Sequence, residues 1–129
     1  TRIAKWDWQS GMELPLLRAD GCSSNNGSKS NPALSADLFG DWREEVIWRT
    51  RDGKALRIYT TTIPTGHRFY TLMHDPQYRL SIAWQNVAYN QPAHVGFFLG
   101  ADMPPAPRPN IQLSETNRSS MGAEEDDKS

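Results

Sequence analysis

The sequence lacks three features that would place it in well-defined classes of protein. Cys22 is its single cysteine, which excludes a framework of internal disulfide bonds. It contains no run of about 18 apolar residues, so we expect no transmembrane helix and no membrane partner. The net charge of −1 provides none of the basic field typical of nucleic-acid-binding surfaces, and we expect no nucleic-acid partner.

What is present predicts a mainly β fold. The 129 residues suffice for one small domain, and segments rich in alternating or β-branched residues are separated by turn residues. In the first hairpin, Pro15 requires an edge or a bulge, and Asp52-Gly53 turns the chain between two later strands. Consecutive strands on short connections form an antiparallel meander, the arrangement of a β-propeller blade. The predicted strands are 3–8, 12–17, 33–38, 45–50, 55–62 and 95–99.

One short helix is predicted near 76–89. Asp75 is suited to cap its start, and Pro76 is suited to the first helical position. The apolar stripe of the helix comprises Leu80, Ala83, Trp84 and Val87.

From residue 101 onward, prolines give way to small polar and then acidic residues, so 101–129 are predicted to form a disordered tail.

An acidic segment leads directly into the strand at 45–50. Asp37, Asp41 and Glu45 recur every fourth residue around Gly40, whose permissive backbone allows a sharp turn. Carboxylates gathered so closely repel one another unless a cation cancels their charge, and calcium prefers several oxygen ligands. We therefore predict a calcium ion. The alternatives are a solvated acidic face of a helix and an ordinary solvated turn. The predicted ligands are the side chains of Asp37, Asp41 and Glu45 and the carbonyls of Phe39 and Arg43.

A long polar loop precedes this acidic segment. Residues 21–32 are almost all small and polar, and cannot contribute to a core. Their amides, hydroxyls and backbone N–H groups suit a polyhydroxylated or carboxylated ligand. Asn26-Gly27 is also a strong hairpin dipeptide, so a plain turn is the alternative to a ligand-binding loop.

Three stretches, taken together, carry a resemblance to a known family. They are Ser-Asn-Asn-Gly-Ser-Lys at 24–29, the acidic segment at 36–45, and Leu-Met-His-Asp-Pro at 72–76 continuing to 82–92. In this order and spacing they resemble the C-terminal end of rhamnogalacturonan lyases, the family eleven polysaccharide lyases of pectin-degrading bacteria. The resemblance extends from about residue 3 to residue 100. It implies an eight-bladed β-propeller with structural calcium ions that cleaves the rhamnose–galacturonate backbone of pectin by β-elimination.

The resemblance also implies particular sugar-binding residues. In the family an Asn-Gly-Thr segment and a downstream tyrosine bind sugar, and the matching positions here are Asn26, Gly27, Ser28 and Tyr89. Ser28 departs from the threonine of the motif but keeps its hydroxyl. The acidic loops of the family's blades likewise support calcium at the acidic segment of this chain.

β-Elimination requires a base close to the proton alpha to the uronate carboxylate, and a positive group that stabilises the developing charge. The sequence does not choose among four candidate bases. The candidate bases are Lys29, His74, His94 and Tyr89.

The chain is much shorter than the family's fold. Eight blades of about 40–45 residues each far exceed this chain, so residues 1–100 account for one to two blades at the C-terminal end. Whether the chain is itself an enzyme stays open, because it is too short to hold the whole active site.

Two functional hypotheses follow. In the first, the chain is the C-terminal part of a secreted or extracellular rhamnogalacturonan lyase, and contributes substrate-binding and calcium-binding residues to an enzyme whose other blades are missing here. In the second, it is a small calcium-stabilised module that binds plant polysaccharide without cleaving it, through the polar loop and the faces of Trp6, Trp8 and Trp42.

Overall fold

The computed structural model describes residues 1–87 and 90–113. Within them the fold is mainly antiparallel β-structure with one short α-helix, as the sequence predicts, and no helix is long and apolar enough to cross a membrane. The elements, in chain order, are β1 (Arg2–Asp7), β2 (Met12–Arg18), β3 (Cys22–Ser23), β4 (Leu34–Ala36), β5 (Glu45–Thr50), β6 (Leu56–Tyr59), a 3₁₀ turn (Leu72–His74) and α1 (Pro76–Trp84).

Strands β1 and β2 form a separate two-stranded hairpin. Its turn is closed by Gly11, which has a φ of +66° and donates from its amide to the Asp7 carbonyl at 2.9 Å. Ile3 pairs with Leu17 and Ala4 with Pro15, so one extra residue bulges out of β2. The bulge lies beside Pro15, where the missing N–H of proline predicts an edge or an irregularity.

The second sheet is centred on β5. Arg49 pairs with Ser23 of β3 and with Leu56 of β6, while Ile47 pairs with Leu34 of β4 and with Ile58 of β6. Since a strand has only two edges, β3 and β4 must share one edge of β5, and β6 occupies the other. Strands β3 and β4 are therefore two parts of one interrupted strand, and residues 24–33 form a large insertion between them.

The main apolar cluster joins the hairpin to this sheet. Trp48 of β5 is 3% exposed, and its ring meets that of Tyr59 edge-on, with ring centroids 5.5 Å apart. The buried members of the cluster are Ala19, Cys22 and Trp48, and the partly buried residues packed against it are Ile3, Leu17, Val46 and Tyr59. The two sheets are thus packed together by side chains of β1 and β2 on one side and of β5 and β6 on the other.

Helix α1 starts as predicted and presents a different face from the predicted one. Asp75 Oδ1 accepts a hydrogen bond from the Gln77 amide at 2.8 Å, and Pro76 is the first helical residue. The helix ends at Trp84 and is shorter than predicted. The prediction from the apolar stripe is wrong for its large members, because the residues packed inward are Tyr78, Ser81 and Gln85, whereas Leu80, Trp84 and Val87 are 55%, 49% and 64% exposed.

The predicted loop 21–32 is wrong at its start, because Cys22 and Ser23 form β3 by pairing with β5, and Cys22 is buried in the main apolar cluster. Strand β4 is also shorter than the predicted 33–38.

Other differences lie later in the described chain. Strand β6 is shorter than the predicted 55–62, and residues 95–99 form no strand. The amide of Gly96 instead donates to Asp75 Oδ2, so this backbone completes the helix cap rather than a sheet. Residues 101–113 contain no helix or strand. The rest of the predicted disordered tail, 114–129, lies outside the described residues.

Candidate functional site

The polar insertion 24–33 is a folded loop. The amide of Asn25 donates to the Asn31 carbonyl at 2.7 Å, which closes the base of the loop. Asn26 Oδ1 accepts from the Lys29 amide at 2.7 Å, so the side chain of Asn26 holds a tight turn. This turn leaves Gly27 and Ser28 exposed at the tip. The loop does not join a hairpin, because β3 and β4 pair with β5 and not with each other.

The loop is anchored to the segment that follows α1. Asn25 Nδ2 donates to Asn86 Oδ1 at 3.1 Å, and Asn31 Nδ2 donates to the Asn90 carbonyl at 2.6 Å. Asn86 Nδ2 in turn donates to the carbonyl of Ala33. These contacts bring Asn26, Gly27 and Ser28 to the part of the chain that carries Tyr89. Tyr89 itself lies outside the described residues, so its place beside the loop stays a prediction.

The end of α1 is also fixed to the sheet by one side chain. Gln85 Oε1 accepts from the Ser35 amide at 2.7 Å, and Gln85 Nε2 donates to the Ser35 carbonyl at 2.8 Å. The amide of Gln85 thereby makes the pair of bonds that a neighbouring strand would make with β4. Gln85 is only 4% exposed, so this link positions the C-terminal end of the helix, and the loop anchors beyond it, relative to the sheet.

The candidate bases lie in different parts of the molecule. Lys29 is exposed in the loop, whereas His74 is exposed immediately before the helix, at the opposite end from the loop anchors. The His94 ring contacts two residues of α1, with Nε2 lying 3.2 Å from Gln77 Nε2 and Nδ1 lying 3.5 Å from Ser81 Oγ. No arrangement of these side chains identifies one of them as the base.

The acidic segment 36–45 forms a turn before β5, here called the acidic turn. Its last carboxylate, Glu45, is completely buried, and both of its oxygens accept hydrogen bonds. Its Oε2 accepts from the amides of Leu38 and Phe39 at 2.9 and 3.1 Å. Its Oε1 accepts from Thr60 Oγ1 at 2.9 Å. Three donors therefore surround this carboxylate and hold the turn against the start of β5.

Asp37 is equally buried, at 1% exposure, but only one of its oxygens is engaged. Oδ2 accepts from Thr71 Oγ1 at 2.7 Å and from the Leu72 amide at 2.8 Å, which ties the turn to the 3₁₀ segment. Oδ1 is buried and accepts no hydrogen bond from the described residues. This open acceptor is a position at which a cation or a water molecule would be stabilised.

Asp41 has a different partner. Its carboxylate receives the guanidinium of Arg43 in two hydrogen bonds, one of them from Nε at 3.1 Å. Hydrogen bonds from the Arg43 side chain, and then from its backbone amide, hold the pKa of Asp41 below its usual value. Gly40 has a φ of +73°, which confirms the sharp turn predicted there.

The predicted calcium ligands therefore match the structure only in part. Among the described residues, no group of three or more His, Cys, Asp and Glu side chains is placed to hold a metal ion. Glu45 is occupied by three donors and Asp41 by Arg43, which leaves Asp37 Oδ1 as the acceptor without a partner. Calcium at this turn stays a prediction.

A buried tyrosine connects the acidic turn to the helix, and the sequence analysis missed it. The hydroxyl of Tyr78 accepts from the Asp37 amide at 3.0 Å and donates to Glu44 Oε1 at 2.7 Å. Burial, and secondly the hydrogen bond to Glu44, raise the pKa of Tyr78. The hydroxyl is consequently a fixed neutral donor. No local signal in the sequence pointed to it, because the partners of the hydroxyl lie 41 and 34 residues earlier in the chain.

Comparison with known proteins places these features in context. Residues 1–109 match the model of the C-terminal domain of rhamnogalacturonan lyase family 11. The chain is 66% identical over 110 residues to rhamnogalacturonan endolyase YesW of Bacillus subtilis, and 59% identical over 113 residues to rhamnogalacturonan exolyase YesX of the same organism. These matches cover 85% and 88% of the chain, and 18% of each relative.

A solved structure agrees with the sequence comparison. The crystal structure of rhamnogalacturonan lyase YesW superposes with a TM-score of 0.83 at 64% identity, and the match covers 88% of this chain and 19% of that one. The chain thus spans about a fifth of the length of the relatives that it matches.

Proposed function

Since the chain belongs to rhamnogalacturonan lyase family 11 and corresponds to its C-terminal domain, we propose that it supplies part of the substrate-binding surface of an enzyme that cleaves rhamnogalacturonan, a plant cell-wall polysaccharide. The observation that carries this proposal is the loop 24–33. It is closed on itself, anchored to the segment after α1, and exposes Gly27 and Ser28 at its tip. A loop fixed in this way binds a ligand without first being ordered, which saves conformational entropy.

The part of the reaction that we propose for this chain follows from its share of the length of its relatives. β-Elimination removes the proton alpha to a uronate carboxylate, and the base must lie within hydrogen-bond reach of it. This chain accounts for 18% of the endolyase and the exolyase that it resembles. We therefore assign to it the binding and orientation of sugar by Asn26, Gly27 and Ser28, with Tyr89 from the neighbouring segment. Because the chain resembles both relatives, the proposal covers either mode of cleavage.

We further propose that the sheet centred on β5 is one blade of a β-propeller. The interrupted strand β3/β4, β5 and β6 follow one another as an antiparallel meander, which supports this arrangement. Large apolar side chains are exposed on several elements, and such surface is covered by a partner in most soluble proteins. The proposed partner is the remainder of the lyase. Exposed examples include Trp6, Leu16, Leu56, Leu80 and Phe98.

Calcium at the acidic turn is a separate proposal. Its support is the buried Asp37 Oδ1, which has no hydrogen-bond donor among the described residues, together with the preference of calcium for carboxylate and carbonyl oxygens. In this proposal Asp37 replaces the predicted set of three carboxylates as the principal side-chain ligand. The ion would stabilise the turn and would not take part in bond cleavage.

We place the protein outside the cell, as the sequence analysis expects. The support is the proposed substrate, because a cell-wall polymer is degraded where the polymer is located.

The test is made in a complete lyase that carries this segment. Asn26→Ala and Ser28→Ala are compared with the unchanged enzyme by following the ultraviolet absorbance of the unsaturated uronate product. Losing one neutral hydrogen bond to the substrate costs about 1 kcal/mol, so we expect kcat/KM to fall roughly fivefold for Ser28→Ala. The fall should be larger for Asn26→Ala, because Asn26 Oδ1 also holds the turn of the loop. Gln9→Ala, in the exposed hairpin turn, is the matched control. Unchanged kcat/KM in both loop variants would contradict the assignment of the loop.

A second candidate function is a polysaccharide-binding module without catalysis. Trp6 and Trp8 are 62% and 79% exposed on the hairpin, which favours it, since exposed aromatic rings stack on sugar faces. Affinity electrophoresis of the chain in gels containing rhamnogalacturonan distinguishes the two. Retardation that disappears in Trp6→Ala and persists in Asn26→Ala would favour this second candidate.

A further inference from the structure

A cavity of about 440 Å³ lies at the N-terminal end of α1. Helix α1 has nine residues, so it is about 13 Å long. The loop 24–33 is anchored beyond the C-terminal end of this helix, and the cavity is therefore a distinct place on the molecule. The side chains that matter here are Tyr70, His74, Arg79, Phe97 and Asn110.

The cavity lining includes one guanidinium, that of Arg79, and one carboxylate, that of Asp75. Asp75, its one acidic lining residue, already accepts hydrogen bonds on both oxygens, from the amides of Gln77 and Gly96. Arg79 takes part in none of the ion pairs among the described residues. Its guanidinium therefore keeps its donors available, and a guanidinium presents two parallel N–H groups that match a carboxylate.

The other lining groups suit the ring of a sugar. Tyr70 is 47% exposed, and its ring is held edge-on by His74 at a centroid distance of 6.5 Å. An exposed ring fixed in this way offers an apolar face against which the C–H groups of a pyranose pack. The amide of Asn110 adds a donor and an acceptor for hydroxyl groups.

We propose that this cavity is a second carbohydrate subsite, which binds a sugar that carries a carboxylate, with Arg79 on the carboxylate and Tyr70 against the ring. This inference rests on the proposed function, since it assigns the uronate residues of the same polymer to a second place on the domain. A polymer held at both ends of α1 dissociates more slowly than one held at a single site, because the second contact forms at a high effective concentration.

Galacturonate is the probe, and galactose is its neutral counterpart. Each is titrated into the isotope-labelled chain, and NMR follows the backbone amides of Gly96 and Asn110 at the cavity and those of Gly27 and Ser28 at the loop. We expect galacturonate to shift the cavity amides saturably, and galactose to bind there about tenfold more weakly, since charge-assisted hydrogen bonds are the stronger ones.

Two variants identify the contacts. Arg79→Gln should weaken galacturonate about tenfold and leave galactose unchanged, whereas Tyr70→Ala should weaken both sugars. Arg18→Gln is the matched control, because Arg18 is an exposed arginine on the hairpin with a side chain that is 83% exposed. Equal affinity of Arg79→Gln and the unchanged chain for galacturonate would overturn the proposal.

The two sets of amides separate this proposal from the proposed function. Shifts confined to the loop would overturn the second subsite and leave the loop assignment intact. Shifts confined to the cavity would support the subsite and count against the loop. No shift at the cavity up to the solubility of galacturonate would overturn the subsite, and the kinetic test of Asn26→Ala would still decide the role of the loop.

Discussion

The hydroxyl of Tyr78 donates a hydrogen bond of 2.7 Å to Oε1 of Glu44, across the boundary between helix α1 and the acidic turn. Tyr78 is 1% exposed, and its oxygen also accepts from the backbone of Asp37. One phenol thus joins the helix to both ends of the turn that leads into β5. The acidic turn, the helix and the sheet are consequently expected to unfold together.

Tyr78→Phe should lower the free energy of unfolding by about 1–3 kcal/mol. The variant keeps the buried ring and removes the hydroxyl, which leaves the Asp37 amide buried without its acceptor. Urea denaturation measures the loss. Tyr70→Phe is the control, because Tyr70 is 47% exposed and should change stability little. A Tyr78→Phe variant as stable as the unchanged chain would refute the role given to this hydroxyl.

The same tyrosine predicts a dependence on alkaline pH. Its pKa is raised above 10.0 in the folded chain, so the unfolded chain loses this proton at a lower pH than the folded chain does. The contribution to stability is complete below pH 10.0 and is lost as the pH rises through the folded pKa. Denaturant titrations on either side of this pH should show a smaller loss in Tyr78→Phe. If the free energy of unfolding fell equally with rising pH in both chains, this role of Tyr78 would be contradicted.

Gln85→Ala should destabilise the chain by about 1–3 kcal/mol, because both hydrogen bonds to the backbone of Ser35 disappear and the Ser35 groups stay partly buried. Hydrogen exchange at the Ser35 amide should accelerate as well. Gln9→Ala, at an exposed glutamine in the hairpin turn, is the control. Unchanged exchange at Ser35 would show that the helix does not depend on this side chain for its position.

Acid should destabilise the chain partly through Asp41. Its pKa is lowered from 3.8 by Arg43, so its contribution is present above pH 3.8 and is lost as the pH falls through the lower folded value. Melting temperatures measured from neutral to acidic pH should therefore fall less in Asp41→Asn than in the unchanged chain. Arg43→Gln should give the same flattened profile. Opposite responses in these two variants would contradict the pairing.

Calcium should raise the melting temperature of the chain, and excess chelator should reverse the increase, because an ion that binds only the folded state stabilises it. Asp37→Asn should remove this response, since Asp37 supplies the open buried oxygen. Asp20→Asn, at an exposed aspartate between β2 and β3, should retain it. Melting temperatures that do not respond to calcium in the unchanged chain would end the calcium proposal.

Local patterns in the sequence predicted the local structure well. The hairpin with its irregularity at Pro15, the cap formed by Asp75 and the turn at Gly40 are all confirmed. Each depends on residues only a few positions apart, whose backbone preferences are strong whatever the rest of the chain does. The antiparallel class was predictable for the same reason. The polar loop was predicted at 21–32, and its start is wrong because Cys22 and Ser23 pair with the distant strand β5.

What the sequence did not predict depends on contacts between distant segments. The helix faces the body through Tyr78, Ser81 and Gln85 because their partners are provided by 35–44 and His94, and no local pattern reveals those partners. An apolar stripe was the wrong guide, since its large side chains face outward. The segment 95–99 is apolar enough for a strand, but the amide of Gly96 is used by the carboxylate of Asp75.

In the candidate site too, local features were predictable from the sequence and contacts between distant segments were not. Residue types identified the loop, while its anchors, Asn25 to Asn86 and Asn31 to Asn90, connect positions about sixty residues apart along the sequence. The three carboxylates suggested one shared ion. In the folded chain the three have separate partners. Backbone amides donate to Glu45, Arg43 donates to Asp41, and Thr71 donates to Asp37.

The interruption between β3 and β4 has a consequence for how this domain can change. The two halves pair independently with the same edge of β5. Strand β3 pairs with Thr50 and Arg49, and β4 pairs with Ile47, Val46 and Glu45. Residues can be inserted, deleted or exchanged between them without shifting the register of the sheet. The loop is thus a natural position for grafting, where new recognition can evolve or be engineered on an unchanged scaffold.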